Sequence, residues 1–147
     1  MKILLSIKPK YIEEIISGKK KYEFRKETFK ERYSNEIIVY SSSPIKKIIG
    51  KFKIGKIIED TPVRLWEQLA DSVGIIEGEF FEYFNGKKKG FAIEIIDFVL
   101  FDTPIDPKSL DPNFVAPQSY LYIKDSFFNN YVKQGGHLYD KTIQQEL

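Results

Sequence analysis

Two long strand-like stretches, KKIIGKFKIGKII at residues 46–58 and GFAIEIIDFVLF at residues 90–101, limit most tightly what this chain can fold into. In the first, Lys51 and Lys53 oppose Phe52 and Ile54, the period of two that a strand with one buried face requires. After Gly55 the alternation slips by one residue, which predicts a bulge or sharp bend there. Long strands that bend suit a curled, mainly antiparallel sheet better than a doubly wound parallel one.

The shorter elements fit around that sheet. KILLSI (residues 2–7) reads as a buried strand ended by Lys8-Pro9. Pro9 then opens a helix of about two turns, with Tyr11, Ile12, Ile15 and Ile16 on one side and Gly18 as its terminator. KKYEFRK has strand periodicity, an aromatic face of Tyr22 and Phe24 against a charged one. A polar connection over residues 26–35 leads to the strand EIIVY (36–40) and the turn-like SSSP (41–44). Asp60 or Thr61 caps a helix starting at Pro62, with Val63, Leu65, Trp66 and Leu69 inward, and a second helical piece covers residues 77–84. Trp66, Phe80, Phe81 and Phe84 fall at helical spacing, so they are expected in the core. Four prolines (104, 107, 112 and 117) mark an irregular stretch, and residues 120–132 hold one further strand or helix. The expected fold is α+β: a small curled β-barrel, mainly antiparallel, with inserted helices.

Composition removes several function classes. The chain of 147 residues is of single-domain size, with 42% hydrophobic and 15% aromatic residues to build one core. It has no cysteine and one histidine, His137, which excludes a disulfide scaffold, a thiolate zinc site, a cysteine nucleophile and a multi-histidine metal centre. No metal or other cofactor is expected. His137 follows two glycines in the tail and is expected to be solvated. The start, MKILLSIKPKYIEE, is too short in apolar residues for a signal peptide, and no run approaches a membrane span. The expectation is a soluble, cytoplasmic protein that does not engage a membrane. Its net charge of +2 is unevenly spread: residues 1–60 carry 15 Lys and Arg against 8 Asp and Glu, and the remainder 8 against 13. A basic first half is a footprint for an anionic partner, although lysines also simply solvate a surface.

The densest chemistry lies in GKKKYEFRK, residues 18–26. On an extended strand Lys21, Glu23 and Arg25 share a face, so a carboxylate stands between two cations. Two readings are open: a polar cleft for a planar ligand, or a solvent-exposed ladder of ion pairs that contributes little. Should strands 21–25 and 36–40 share a sheet, the hydroxyls of Ser41, Ser42 and Ser43 come near the Glu23 and Arg25 ends.

LLSIKPKYIEEIISGKKKYEFRK, followed in order by VYSSSPIKKIIGKFKIGKI, GFAIEI and APQSYLYI, resembles the ASCH domain family, a branch of the PUA-like superfamily. The resemblance spans residues 2–123, which sets a domain at 1–123 and a C-terminal extension at 124–147. The matching positions are Gly18, Lys20, Glu23 and Arg25, with Lys8, Ser41 to Pro44, and Gln118-Ser119. The resemblance implies a PUA-like barrel whose cleft these groups line, and RNA or a nucleotide as ligand, with regulation of transcription or translation as one role. Some relatives resemble amidohydrolases of acetylated cytidine that use a lysine, a threonine three residues on and a distant glutamate. This chain keeps Lys20 but has Glu23 at the threonine position.

Such a cleft can be filled from this sequence. Lys8, Lys20, Lys46, Lys47, Lys51 and Lys53 suit phosphates, Tyr40 or Tyr120 suits base stacking, and Glu23, Arg25, Ser42, Ser43 and Gln118 suit base edges. A carboxylate in a basic cleft disfavours phosphate and favours a base amine. The alternative is a hydrolase acting on a modified nucleoside or on RNA, with Lys20 and Glu23 as acid and base. Lys87 to Lys89 are expected in an exposed turn, joining a phosphate track only where they lie beside the cleft.

Overall fold

In the computed structural model, which describes residues 1–30, 35–129 and 141–142, alternation and bending set the architecture. The order is β1 (Lys2–Ile7), α1 (Pro9–Ile16), β2 (Tyr22–Arg25), β3 (Glu36–Ser41), β4 (Lys47–Asp60), α2 (Pro62–Leu69), α3 (Glu77–Tyr83), β5 (Gly90–Ile105), α4 (Pro107–Leu110), β6 (Tyr120–Ile123) and β7 (Lys141–Thr142). Short 3-10 turns cover Ala70–Ser72 and Asp125–Phe128. The strands form one sheet in the order β2-β5-β4-β3-β1-β6, with β7 attached to β5. Every pair is antiparallel except β1 with β3. That parallel pair needs a crossover, which the segment carrying α1 and β2 supplies.

The curled α+β sheet agrees with expectation, but its strands trace an open path in place of a closed barrel. Its curl comes from irregular pairing. Between β4 and β5 the register shifts at Ile48/Gly50, at Lys51/Lys53 and at Ile54/Ile57. The last interval contains Gly55, where the hydrophobic alternation slips. Each extra residue bends its strand and tightens the local twist.

The helices obey their local signals. Pro9 opens α1, and Gly18, at φ +83, follows its end in the left-handed conformation that glycine tolerates best. The Thr61 hydroxyl caps α2 by accepting from the Arg64 N–H at 3.3 Å. Leu65 is buried, and Trp66 and Leu69 are partly so, whereas Val63 is 55% exposed. The expectation for Val63 fails because residues 65, 66 and 69 share one helical face, and position 63 lies about 200° around from Leu65.

The sheet is covered on both sides. Within the curl, Ile3, Leu5 and Ile7 of β1 meet Ile37 and Val39 of β3 under Ile12 and Ile15 of α1. On the reverse face, Leu4, Ile38 and Ile48 pack with Phe114 and Phe128. A third cluster joins Tyr22 and Phe24 of β2 to Leu65, Phe80 and Phe84. Phe80 is fully buried and meets Phe24 edge-on, with ring centroids 5.1 Å apart. It therefore pins β2 against α3. Phe80→Ala is expected to cost about 3–5 kcal/mol, read as a lowered urea midpoint; a loss below about 1 kcal/mol would show that this packing is not formed.

Candidate functional site

Packing on one side of β2 decides what its other side does. Tyr22 and Phe24 are taken by the helices, so alternation turns Glu23 and Arg25 the opposite way. There they line a cleft of about 1030 Å³ together with the end of β1, the start of α1, the turn after β3 and one edge of α3.

At its foot the Glu23 carboxylate is held from both sides. Lys20 Nζ lies 3.4 Å from Oε1, and an Arg25 terminal nitrogen 3.4 Å from Oε2. All three residues are buried. The strand pattern placed Lys21 in this cluster, but Lys21 is exposed and Lys20 takes its place. Lys20 precedes β2, where alternation does not apply. Its backbone N–H donates to the Glu14 carbonyl at 3.0 Å, and that of Lys21 donates to Ser72 at 2.8 Å. Gly74, at φ +67, lets the next loop close over it, because a Cβ there would run into the Lys20 backbone and Cβ. The ammonium so enclosed lies 3.5 Å from the Val73 carbonyl and 4.9 Å from the Phe24 ring centroid.

Burial holds the Lys20 pKa below its ordinary value, and the attraction of Glu23 offsets this only in part; the Arg25 charge adds a small push the same way. Arg25 donates to the Ser6 carbonyl at 2.8 Å, while its buried Nε–H has no partner among the described residues. Tyr83 stands next to it. Its pKa is pushed up by burial, with Arg25 pulling the other way, although the residue as a whole is 36% exposed.

Lys8, Tyr40, Ser42, Ser43 and Gln118 also line the cleft, as does Lys46. Ser41 and Ser119 do not. Ser41 is the last residue of β3 and buried, and Ser119 is exposed, accepting at its carbonyl from the Ser6 N–H at 3.1 Å. Lys51 and Lys53 lie elsewhere, facing Glu36 at 3.2 Å and Asp97 at 4.0 Å, and Lys47 is outside the lining. Tyr40 is only 4% exposed and tilts onto Phe114. Tyr120 packs edge-on against Phe29 and is not part of the cleft. The aromatic faces present at the mouth are Tyr11 and Tyr83, which sequence reading missed as ligand contacts because each fits a helical pattern. Tyr11 and Lys10 each reach Glu79 at 3.1 Å, linking α1 to α3. His137 lies outside the described residues. Among the described residues no group of three His, Cys, Asp or Glu is placed to hold a metal, and no helix is long and apolar enough to cross a membrane.

A curled sheet of this order, with a polar cleft beside its end strand, is a PUA-like architecture. Within that class the chain belongs to the ASCH domain family, which residues 5–100 match. It is similar to the ASCH domain-containing ribonuclease of Zymomonas mobilis, with 29% identity over 127 residues that cover 82% of this chain and 83% of that protein. The crystal structure of ASCH from Zymomonas mobilis aligns with a TM-score of 0.80 at 27% identity, covering 90% of this chain and 94% of the solved one. The N-terminal domain of Staphylothermus marinus McrB aligns at a TM-score of 0.58 and 12% identity over 91% of this chain and 94% of its own, a likeness of fold alone.

The Lys20 environment makes a signed prediction. Unfolded, Lys20 titrates near 10.5; folded, it titrates lower. Between those two values the unfolded state binds more protons, so folding stability rises with pH there. Urea midpoints measured from pH 7 to pH 11 are expected to climb more steeply through that window for the wild type than for Lys20→Met. Parallel slopes would mean that Lys20 is not buried as described.

Proposed function

We infer that the chain binds single-stranded RNA in this cleft, seating one base against Lys20, Glu23 and Arg25 while Lys8 and Lys46 take the adjoining phosphates. The observation that carries this reading is the buried carboxylate clamped between two cations. A site built for phosphate alone gains nothing from a carboxylate at its foot, whereas Glu accepts from a base amine as it does from cytosine. Among the described residues Arg25 also keeps an unpartnered buried donor. Leaving one costs about 1–3 kcal/mol, which the fold bears at the wall of this cleft. Tyr11 and Tyr83 supply faces for stacking. The relative named as a ribonuclease supports RNA as the ligand class. Seating of a particular base also suits a regulator of transcription or translation.

Anisotropy with labelled single-stranded RNA is expected to show affinity that falls with salt and weakens about tenfold on Arg25→Lys, which keeps the charge but loses the planar fork. No binding at low salt rejects the reading.

RNA cleavage is a second reading, favoured by the lowered Lys20 pKa and by the relative's name. Neutral Lys20 takes the proton of a 2′-hydroxyl, whose oxygen attacks the neighbouring phosphorus. The P–O5′ bond breaks and the departing 5′-oxygen takes a proton from water, giving a 2′,3′-cyclic phosphate and a 5′-hydroxyl, while Arg25 stabilises the charge gathered on the phosphoryl oxygens. Cleavage is expected to rise with pH as Lys20 deprotonates, to vanish in Lys20→Met, and to spare DNA. Intact RNA after incubation with a protein that binds it removes this second reading and leaves the first.

A further inference from the structure

The charged surface continues beyond the cleft. Tyr83 lines the cleft, and the same ring carries the Lys26 ammonium 4.7 Å from its centroid. Lys26 in turn lines a second hollow of about 350 Å³, with Glu27, Thr28, the Lys87–Lys89 turn and Phe91. Strand pairing explains the gathering. Arg25, the last residue of β2, pairs with Phe91 at the start of β5. The chain leaving one strand and the chain entering the other therefore emerge at the same end of the ladder, and each brings lysines there.

Among the described residues the carboxylates at this end are Glu27, which lines the same hollow, and Glu59. Lys89 faces Glu59 at 3.1 Å, an exposed pair of small worth. Lys87 and Lys88 are exposed and make no ion pair among the described residues. The four ammonium groups gathered beside a ligand cleft outnumber these two carboxylates and repel one another.

The geometry points to a second segment of the RNA path, in which nucleotides flanking the seated one pass over Tyr83 and lay their phosphates on Lys26, Lys87 and Lys88. This rests on the RNA-binding reading above and extends it from one nucleotide to a strand. Single strands are held in this way elsewhere, by cations tracking the backbone with aromatic rings between them.

Lys87 and Lys88 lie outside the cleft, so the double substitution Lys87→Gln/Lys88→Gln separates the two segments. Anisotropy is read for a trinucleotide, which fills the cleft alone, and for a dodecamer, across a salt series. For the dodecamer the slope of log affinity against log salt is expected to become shallower by about 1.4 and affinity to fall about tenfold. Trinucleotide binding is expected to stay unchanged. Lys108→Gln/Lys124→Gln, an equal charge change outside both hollows, is expected to leave both oligomers unaffected. A dodecamer slope unaltered in the Lys87/Lys88 variant overturns the path while the cleft reading stands. So does an equal loss for both oligomers, or the same loss in the control variant. A wild type that binds neither oligomer overturns the RNA reading itself, and the path with it.

Discussion

One arginine spans the gap that backbone pairing leaves in this sheet. β2 begins the strand path and β1 stands next to its far end, so no ladder joins them. The Arg25 guanidinium crosses from one to the other and donates to the Ser6 carbonyl at 2.8 Å. A hydrogen bond from a charged donor of this kind contributes about 1.5–3 kcal/mol. Burying it imposes the rest. A guanidinium out of water needs a counter-charge, which Glu23 supplies, and a carboxylate with two lone-pair-rich oxygens has room for a second cation, which Lys20 supplies. The cleft thus lies in the seam of the sheet, and the groups that bridge the seam are those a ligand would meet.

This arrangement is poorly explained by stability alone. Desolvating three ions costs several kcal/mol each, and well-packed apolar side chains in their place are often as stable or more so. The lowered Lys20 pKa has the same origin, since burial outweighs the attraction of a carboxylate 3.4 Å away. Departures from the rule that cores are apolar concentrate where a protein does chemistry or recognition. Among the described residues the buried charges, Lys20, Glu23 and Arg25, all lie on the wall facing the cleft, while the opposite side of β2 keeps an apolar cluster.

What was legible in the sequence follows the range of each cause. Pro9, Gly18, Thr61 and the slip at Gly55 act through neighbouring residues, so helix ends and the bend were readable. The site was half readable. Alternation along YEFR gave Glu23 and Arg25 one face, and the ASCH resemblance gave Lys20. Yet the strand pattern put Lys21 beside Glu23, because the choice between the two lysines is made by a loop some fifty residues on, where Gly74 closes over Lys20. Closure of the sheet is equally nonlocal, so a barrel and an open curl share one pattern of strands. Tyr11 and Tyr83 hid because half-buried aromatics on short helices look like core. Ser41 shows the smallest error: β3 runs one residue further than EIIVY and draws that serine into the ladder.

The fold also separates the titrating groups of the cleft. Glu79 is held below the ordinary carboxylate range by hydrogen bonds from Lys10 and Tyr11, and Lys10 is held above its own by the same contact. Burial pushes the hydroxyls of Tyr11, Tyr40 and Tyr83 further into the alkaline range. Each of these displacements moves a group away from neutrality, and the Lys10–Glu79 link between α1 and α3 accordingly persists across the middle of the pH scale. Lys20 alone among the displaced cleft groups moves toward neutrality. Among these displaced groups Lys20 is therefore the one that titrates on the neutral side of its ordinary range, and it contributes there to any dependence of binding or cleavage on pH. Its loss of charge leaves Glu23 and Arg25 as a neutral pair and frees an amine lone pair within 3.4 Å of a carboxylate.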